Sequence, residues 1–187
     1  MADRVYIVRH GATEWSVAGR HTSRTDLSLL AEGRDQAAGL AQVLGSCEFG
    51  LVLCSPLRRA RETCELAGFA SVAEICEDLR EWDYGDYEGL TTAQIRERDP
   101  DWSLWRDGCL GGETPAQVGA RVDRALARFQ AIDASGLAFA PGHVLRVLTA
   151  RWLEMEVAAG ARFRLEAGAL GVLGHERETA VLERWNA

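Results

Sequence analysis

The chain contains no lysine, and arginine supplies all 21 of its basic residues. This absence excludes Schiff-base chemistry on a lysine amine and the phosphate-binding lysine of a P-loop. The five cysteines include no CxxC pair, and we interpret them as reduced thiols, which favours a cytoplasmic protein. No apolar run approaches the roughly 18 residues of a membrane span, and no basic leader precedes an apolar stretch, so we expect no signal peptide.

Metal-binding patterns are also absent, since the four histidines show neither HxH nor HExxH spacing. We therefore predict no metal and no organic cofactor. The formal net charge of −7 argues against general affinity for nucleic acid or for an anionic membrane. With 187 residues, of which 47% are hydrophobic, the chain is long enough to bury one substantial core.

Apolar patterning alternates between strand-like and helix-like segments along the chain. Short runs of β-branched and apolar residues predict strands at 5–8, 50–54, 72–76, 137–140, 169–173 and 179–183. Apolar residues at helical spacing, with capping signals, predict helices near 31–45, 56–66, 91–98, 115–132 and 144–155. This alternation predicts a single α/β domain over residues 1–187, a three-layer α/β/α sandwich around a mostly parallel sheet.

Three helix starts carry recognisable capping residues. Ser55 offers an N-cap and Pro56 a first helical residue for the helix after the second strand. Capping boxes at Thr91–Gln94 and Thr114–Gln117 predict two further helix starts, the second with Pro115 as its first residue.

Charged residues collect after the predicted strands, where open α/β sheets bind ligands. Arg9 and His10 follow the first strand, 55–59 follow the second, and 141–143 follow a later one. Guanidinium groups and a helix N-terminus meeting there would form a phosphate pocket with an imidazole inside it. A neutral imidazole can attack phosphorus directly, and nearby arginines favour the neutral form. The alternative is that His10 is only a hydrogen-bonded histidine at a strand end.

Five stretches of the sequence resemble one known family. They are RHGATEW (9–15), GRHTSRTDLSLLAEGRDQA (19–37), CSPLRRARETC (54–64), LREWDYGDYEGLT (79–91) and GGETPAQVGARV (111–122). In sequence and order they resemble the histidine phosphatase superfamily, the family of phosphoglycerate mutase and many acid phosphatases. The resemblance spans most of residues 4–155 and implies a phosphoglycerate mutase-like fold.

The resemblance also implies roles for individual residues. It makes His10 the nucleophile that becomes phosphorylated and Arg9 a phosphate ligand. Glu81 matches the general acid, which protonates the departing oxygen and later activates water. In the second arginine motif the matching residue precedes the alanine, which selects Arg59. Arg58 and Arg61, on the same helix, are predicted to lie on a solvated face.

Further residues match the substrate side of the family site. Ser16 stands where the family often has asparagine and can donate one hydrogen bond to phosphate. Thr22 lies in the substrate-side loop, and the adjacent His21 is either a site residue or a surface histidine. Gly142 and His143 complete the predicted phosphate- and substrate-binding set. Four aromatic residues could line the substrate mouth: Trp82, Tyr84, Trp102 and Trp105. At least half of them are predicted to pack in the core instead.

The sequence departs from the family at one position. The resemblance implies a second histidine directly before Gly142, where it would donate to the transferring phosphoryl group, but Pro141 stands there. Proline has no side-chain donor and no backbone N–H. Three interpretations remain open: a weakly active or purely binding protein, partial replacement by His143, or a constructed or erroneous substitution in an otherwise active enzyme.

The lead hypothesis for function is a phosphomonoester hydrolase that acts on a small phosphorylated metabolite through a phosphohistidine, as a histidine-type acid phosphatase does. The alternative is a catalytically impaired protein that binds a phospho-ligand or regulates through it, and Pro141 favours that alternative. A phosphoglycerate mutase is less favoured, because only about 20 residues separate Leu90 from the GGET segment, and transfer to a second hydroxyl needs water excluded. The sequence carries no signal for an oligomeric state.

Overall fold

A computed structural model describes residues 3–187 and contains one six-stranded sheet in the order β3-β2-β4-β1-β5-β6. The strands are β1 Val5–Arg9, β2 Leu51–Cys54, β3 Glu74–Ile75, β4 Gly136–Ala140, β5 Leu170–Glu176 and β6 Thr179–Arg184. The first four run parallel, and β5 and β6 form an antiparallel hairpin at one edge. The predicted mostly parallel sheet is confirmed.

Helices cover both faces of this sheet. They are α1 Glu14–Val17, α2 Ala31–Leu44, α3 Arg58–Leu66, α4 Thr92–Arg96, α5 Leu104–Asp107, α6 Pro115–Gln130 and α7 Gly142–Trp152. Three 3₁₀ turns accompany them at Glu77–Leu79, Gly85–Tyr87 and Val157–Arg162. Among the helices that residues 3–187 form, none is long and apolar enough to cross a membrane.

Alternation along the strands divides the core into two layers. In β2, Val52 and Cys54 pack with residues of α2 and α3, whereas Leu53 packs with α6 and α7 on the opposite face. In β1, Val8 belongs to the first cluster and Ile7 to the second. Successive side chains of a strand point to opposite faces, so a strand buried on both sides reads as a continuous apolar run. The three-layer α/β/α arrangement is therefore as predicted.

Both predicted capping boxes are present, at the starts of α4 and α6. The prediction for α3 was wrong by two residues: Leu57 is extended and the helix begins at Arg58. The Arg58 N–H donates to the Asp26 carboxylate at 2.8 Å, so the cap comes from a residue 32 positions away and not from Ser55. The start of α7 was also wrong, because that helix begins at Gly142 and not at Val144. His175 belongs to β5, where its ring packs against Trp152.

Candidate active site

A pocket of about 210 Å³ opens at the carboxyl ends of β1 and β4, beside the N-terminal part of α3. It brings together every residue predicted for the site: Arg9, His10, Ser16, Thr22, Arg59, Glu81, Gly142 and His143. This position agrees with the general rule that open α/β sheets bind ligands outside the carboxyl ends of their strands.

His10 lies at the floor of this pocket and is 4% exposed. Its Nδ1 lies 2.8 Å from the Gly11 carbonyl oxygen, and because a carbonyl only accepts, we assign the ring proton to Nδ1. That assignment leaves a lone pair on Nε2. Burial, reinforced by Arg59 and Arg9, holds the pKa of His10 well below its usual value, so the ring is neutral near neutral pH.

Glycine at position 11 is required by close packing of two backbones. A Cβ on Gly11 would lie 2.1 Å from the Gly33 carbonyl oxygen in α2. The loop after β1 therefore rests directly on the helix backbone, which fixes the direction of the neighbouring His10. A residue with a Cβ would clash at the last position of the RHG triplet, which explains the glycine there.

The two predicted arginines are anchored on neutral carbonyls. Arg9 donates from Nη1 to the Leu165 carbonyl at 2.5 Å, and Arg59 donates to the Thr22 and Thr25 carbonyls at 2.9 and 3.3 Å. Within residues 3–187, the buried Nε of each guanidinium has no hydrogen-bond partner. Burial lowers the pKa of both groups. Two desolvated cations with unused donors are the arrangement that an oxyanion would complete.

Glu88 fixes the loop whose carbonyls hold Arg59. Its carboxylate accepts hydrogen bonds from the Ser23 N–H, the Ser23 hydroxyl and the Thr25 N–H. Burial raises the pKa of Glu88, but these hydrogen bonds outweigh burial and hold it below its usual value. Glu88 therefore acts on the pocket through the loop, without lining it.

Glu81 is 7% exposed and sits against the first turn of α7. Its Oε1 accepts from the N–H groups of Trp82 and Val144, and its Oε2 accepts from the His143 N–H at 3.0 Å. Each carboxylate oxygen has two lone pairs. Oε2 therefore keeps one site open for a proton on the pocket side.

His143 is held by a phenol hydroxyl. The Tyr84 hydroxyl lies 2.7 Å from Nδ1 of His143, and burial raises the pKa of Tyr84 well above its usual value, so the phenol keeps its proton. Burial, with Arg146 and His21 nearby, lowers the pKa of His143, so its ring is neutral. We assign Tyr84 as the donor to Nδ1, which leaves the ring proton on Nε2.

Pro141 is the N-cap residue of α7 and is buried directly after β4. Its neighbour Ala140 accepts a hydrogen bond from the His10 N–H at 3.2 Å, so Pro141 follows a residue bonded to the predicted nucleophile. A Cβ on Gly142 would come within 3.0 Å of the Arg9 Nε, which explains a glycine beside that guanidinium. The position where the resemblance implies a second histidine therefore lies between two residues that contact His10 and Arg9.

Comparison with known proteins agrees with this geometry. The family profile of the histidine phosphatase superfamily (branch 1) matches residues 5–187. The chain belongs to the histidine phosphatase superfamily. An acid phosphatase of Mycobacterium tuberculosis is 44% identical over 96% of this chain and 91% of its own length. A sedoheptulose 1,7-bisphosphatase of Saccharomyces cerevisiae is 37% identical over 84% of this chain and 70% of its own.

Solved structures of the superfamily superimpose closely on this member. The structure of an open reading frame product of Mycobacterium tuberculosis has a TM-score of 0.94 at 41% identity and covers 100% of this chain and 98% of that one. A mycobacterial glucosyl-3-phosphoglycerate phosphatase solved with VO₃ has a TM-score of 0.87 at 31% identity and covers 100% of both chains. The predicted family and phosphoglycerate mutase-like fold are confirmed, as is the phosphatase class, since the named relatives are phosphatases.

In this member of the histidine phosphatase superfamily, several residues predicted to bind substrate direct their polar atoms to the protein backbone. Ser16 lines the pocket, but its hydroxyl donates to the Thr13 carbonyl at 2.9 Å, so its role as a phosphate donor stays a prediction. Thr22 contributes its carbonyl to Arg59, while its hydroxyl donates to the Arg20 carbonyl. His21 is 8% exposed and lines the pocket, so the alternative of a surface histidine was wrong.

The remaining predictions concern aromatic and basic residues. Trp82 and Trp102 are buried in the core, Tyr84 is buried with its hydroxyl at the pocket, and Trp105 is only partly buried. The side chain of Arg58 is 56% exposed and paired with Glu62, as expected for a solvated face, and Arg61 is exposed as well.

Two cationic pocket residues were missed, Arg20 and Arg146. Arg146 lines the pocket one helical turn after His143, and the i, i+3 spacing on α7 was the signal that would have found it. Over residues 3–187, no group of three or more His, Cys, Asp or Glu side chains is placed to share a metal ion.

Proposed function

We propose that this protein hydrolyses phosphate monoesters of small metabolites through a phosphohistidine on His10. One observation carries the proposal: a neutral imidazole with a free Nε2 lies beside Arg9 and Arg59, whose buried Nε groups are unpartnered within residues 3–187. Neutral imidazole is a nucleophile, and paired guanidinium groups recognise phosphate oxygens. The match of residues 5–187 to a phosphatase family supports the same function, and we further propose that residues 1–187 form one domain.

The first step transfers the phosphoryl group to the protein. Nε2 of His10 forms a bond to phosphorus as the bond from phosphorus to the ester oxygen breaks. Arg9 and Arg59 neutralise charge on the phosphoryl oxygens during transfer, which is largely a matter of positioning and electrostatics. The departing oxygen takes a proton from Glu81.

Glu81 then reverses its role. As a carboxylate it removes a proton from water, the water oxygen bonds to phosphorus, and the bond from phosphorus to His10 breaks, releasing inorganic phosphate. Three backbone N–H groups hold the carboxylate in place, and the open site on Oε2 carries the proton in both steps. The cycle returns every group to its starting protonation.

His143 supplies the donor that Pro141 lacks. With Tyr84 donating to Nδ1, the Nε2–H of His143 is free to donate to a phosphoryl oxygen. His143 also lies on the same helix turn whose N–H groups hold Glu81. The free Nε2–H of His143, next to the anchored Glu81, favours partial replacement by His143 over a purely binding protein.

The second candidate is a phospho-ligand binding protein without turnover, and Pro141 is the observation that favours it. An anchored Glu81 favours the enzyme, because binding alone has no use for a buried proton carrier beside the anion site. The named phosphatase relatives favour the enzyme as well. We further propose a cytoplasmic location, supported by five cysteines that all remain free thiols.

The decisive experiment measures turnover of an aryl phosphate together with phosphate binding by calorimetry. In parallel, a radiolabelled phosphomonoester is mixed with the protein and with His10→Ala, and acid-labile label is counted on the protein. The expected result is turnover and label in the unmodified protein and neither in His10→Ala. Phosphate binding without turnover would favour the binding protein, and more than a few per cent residual turnover in His10→Ala would remove His10 as nucleophile.

A further inference from the structure

The stretch GGETPAQVGARV (111–122) resembles the family as the other four stretches do, yet none of its residues lines the pocket. Two of its charged side chains, Glu113 and Arg121, form an ion pair in which 22% and 9% of the respective side chains are exposed. A largely buried ion pair contributes little net stability, because the cost of removing both charges from water offsets most of their attraction. The pair is therefore better explained by the groups that it holds in place.

Arg121 uses all of its donors within the protein. A guanidinium carries five N–H groups. Nε and Nη2 donate to the two carboxylate oxygens of Glu113 at 2.8 and 2.9 Å. The other three N–H groups donate to main-chain carbonyls at 2.8, 2.7 and 3.1 Å, and these belong to Asp78, Arg80 and Glu81. All five donors are thus engaged, and Arg121 acts on the main chain around Glu81 rather than on a ligand.

Glu113 holds the same segment on the other side of Glu81. Its Oε2 accepts from the Asp83 N–H at 2.9 Å, and its main-chain carbonyl accepts from Nε1 of Trp82 at 2.9 Å. Its own N–H donates to the Asp83 carbonyl at 2.9 Å. A Cβ on Gly112 would lie 2.1 Å from that carbonyl oxygen, which explains the second glycine of GGET. The main chain on both sides of Glu81 is therefore tied to this one stretch.

The segment that carries Glu81 depends on these contacts for its position. Residues 80–84 lie between two 3₁₀ turns and belong to neither a helix nor a strand, so no ladder of hydrogen bonds places them. The Glu81 carboxylate is bound to α7, where it accepts from the N–H groups of His143 and Val144 at 3.0 and 2.9 Å. A shift of the main chain would move this carboxyl group relative to the pocket, and proton transfer depends steeply on such distances.

We propose that Arg121, paired with Glu113, is a positioning residue that holds the Glu81 carboxyl group where it exchanges a proton with the departing oxygen and with water. The proposal rests on the proposed phosphatase function for the proton transfer, but the position of Glu81 is measurable without turnover. Arg121 lies outside the pocket, so changing it should slow the step that needs protonation and leave phosphate binding by Arg9 and Arg59 intact.

The kinetic test compares 4-nitrophenyl phosphate with 4-nitrobenzyl phosphate, which differ by a single CH₂ group. Nitrophenolate leaves with little protonation, whereas the benzyl alkoxide needs a proton from the acid. Both substrates are given to the unmodified protein, to Arg121→Lys and to Arg124→Lys. Lysine keeps the charge at position 121 but lacks the planar fork that reaches several acceptors. Arg124 lies nearly one turn further along α6, is exposed and pairs with the Asp78 carboxylate, so it provides a matched control.

We expect Arg121→Lys to lower kcat/KM by about 10- to 100-fold for 4-nitrobenzyl phosphate and by less than about threefold for 4-nitrophenyl phosphate. Arg124→Lys should leave both values unchanged. The ratio between the substrates does not depend on the folded fraction, so an unchanged ratio in Arg121→Lys would indicate a purely structural role and overturn the proposal.

The dependence on Glu81 is tested in a double-mutant cycle. In the Glu81→Gln protein, which lacks the acid, Arg121→Lys should no longer alter the ratio between the two substrates. A ratio that changes there as much as in the unmodified protein would mean that Arg121 acts independently of Glu81, and would overturn the proposal.

Hydrogen exchange measures the position of Glu81 without turnover. Arg121→Lys should speed exchange of the His143 and Val144 amides by about tenfold, because their acceptor is then held less firmly, and should leave the Leu148 amide in the middle of α7 unchanged. Unchanged exchange at His143 and Val144, or an equal increase at Leu148, would overturn the proposal.

If Arg121→Lys does not fold, Glu113→Gln weakens the same ion pair and takes its place in each measurement, with the same results expected and the same results overturning the proposal. An unmodified protein without turnover would overturn the proposed function alone. Hydrogen exchange would then decide whether Arg121 positions the Glu81 carboxylate.

Discussion

The Tyr84 hydroxyl and the His143 imidazole are joined by a 2.7 Å hydrogen bond inside the pocket. Tyr84 is 1% exposed, and the phenol proton has this one acceptor among the hydrogen bonds of residues 3–187. The bond therefore sets both the orientation and the tautomer of His143. Pro141 carries no hydrogen-bond donor. The tautomer that Tyr84 imposes on His143 therefore determines whether an N–H of His143 can donate to the developing charge on the phosphoryl oxygens.

Removing the His143 imidazole is expected to lower kcat by roughly 10²–10³, the effect of deleting one preorganised donor to a developing oxyanion. In the His143→Ala protein, Pro141→His should recover much of the lost kcat. In the unmodified protein it should raise kcat by less than about tenfold, because His143 already supplies one donor there. Tyr84→Phe keeps the ring but loses the hydrogen bond, and its kcat should fall between those of the unmodified protein and His143→Ala. The measurement is kcat with an aryl phosphate for all members of this cycle.

Two results would contradict this account. Unchanged kcat in His143→Ala would mean that His143 does not act on the phosphoryl group. A full gain from Pro141→His in the presence of His143 would mean that the pocket lacks a second donor, and that Pro141 alone limits the rate.

Glu81→Gln keeps the shape of the side chain and an acceptor for the α7 N–H groups, but it removes the transferable proton. We expect a loss of roughly 10²–10⁴ for alkyl phosphates, whose leaving oxygen needs protonation, and a much smaller loss for nitrophenyl phosphate. The ratio of kcat/KM between the two substrates checks this directly. An equal loss on both would mean that Glu81 has a binding role and is not the acid.

Glu88 is expected to support catalysis through Arg59. Glu88→Gln weakens the hydrogen bonds to Ser23 and Thr25, and the loop that fixes the Arg59 guanidinium becomes less ordered. Inhibition by inorganic phosphate should then weaken by about tenfold, since hydrogen bonds to charged groups contribute about 1.5–3 kcal/mol. Glu65→Gln, an exposed residue on α3, changes the net charge equally and should leave the inhibition constant unchanged. Equal inhibition constants for Glu88→Gln and Glu65→Gln would exclude this role.

The fold was predictable because its signals are local. The apolar runs of β1 and β4 and the capping boxes of α4 and α6 depend on neighbouring residues, and all are present. The start of α3 was not predictable, since its cap is the carboxylate of Asp26. Contacts between residues distant in sequence depend on packing that a single sequence does not specify.

The same distinction holds for the site. Motif resemblance identified His10, Arg9, Arg59 and Glu81, and the structure brings all four to one pocket. The partners that give these groups their properties were not visible in the sequence, because Glu81 meets the α7 N–H groups across more than 60 residues. For the same reason the sequence could not distinguish a buried His21 from a surface histidine.

His21 is expected to make the protein less stable in mild acid. Burial, opposed by the charge of Glu88, lowers the pKa of His21 to about 4, whereas an unfolded chain titrates near its usual value of 6.5. Below pH 6.5 the unfolded chain therefore binds the additional proton and stability falls as pH falls. Hydrogen bonds from Ser23 and Thr25 outweigh burial and hold the pKa of Glu88 below its usual value.

The loss assigned to His21 alone is about 2 kcal/mol of unfolding free energy between pH 7 and pH 5. His10 and His143 act in the same direction, so the unmodified protein should lose more than this in total. His21→Gln keeps a polar group near Thr92 but removes the titration, and its stability should fall by about 2 kcal/mol less over the same interval. Urea unfolding of both proteins at the two pH values measures the difference. Parallel pH dependence would mean that His21 is protonated inside the folded protein at pH 5, and that its neighbours Tyr84 and Glu88 accommodate the charge.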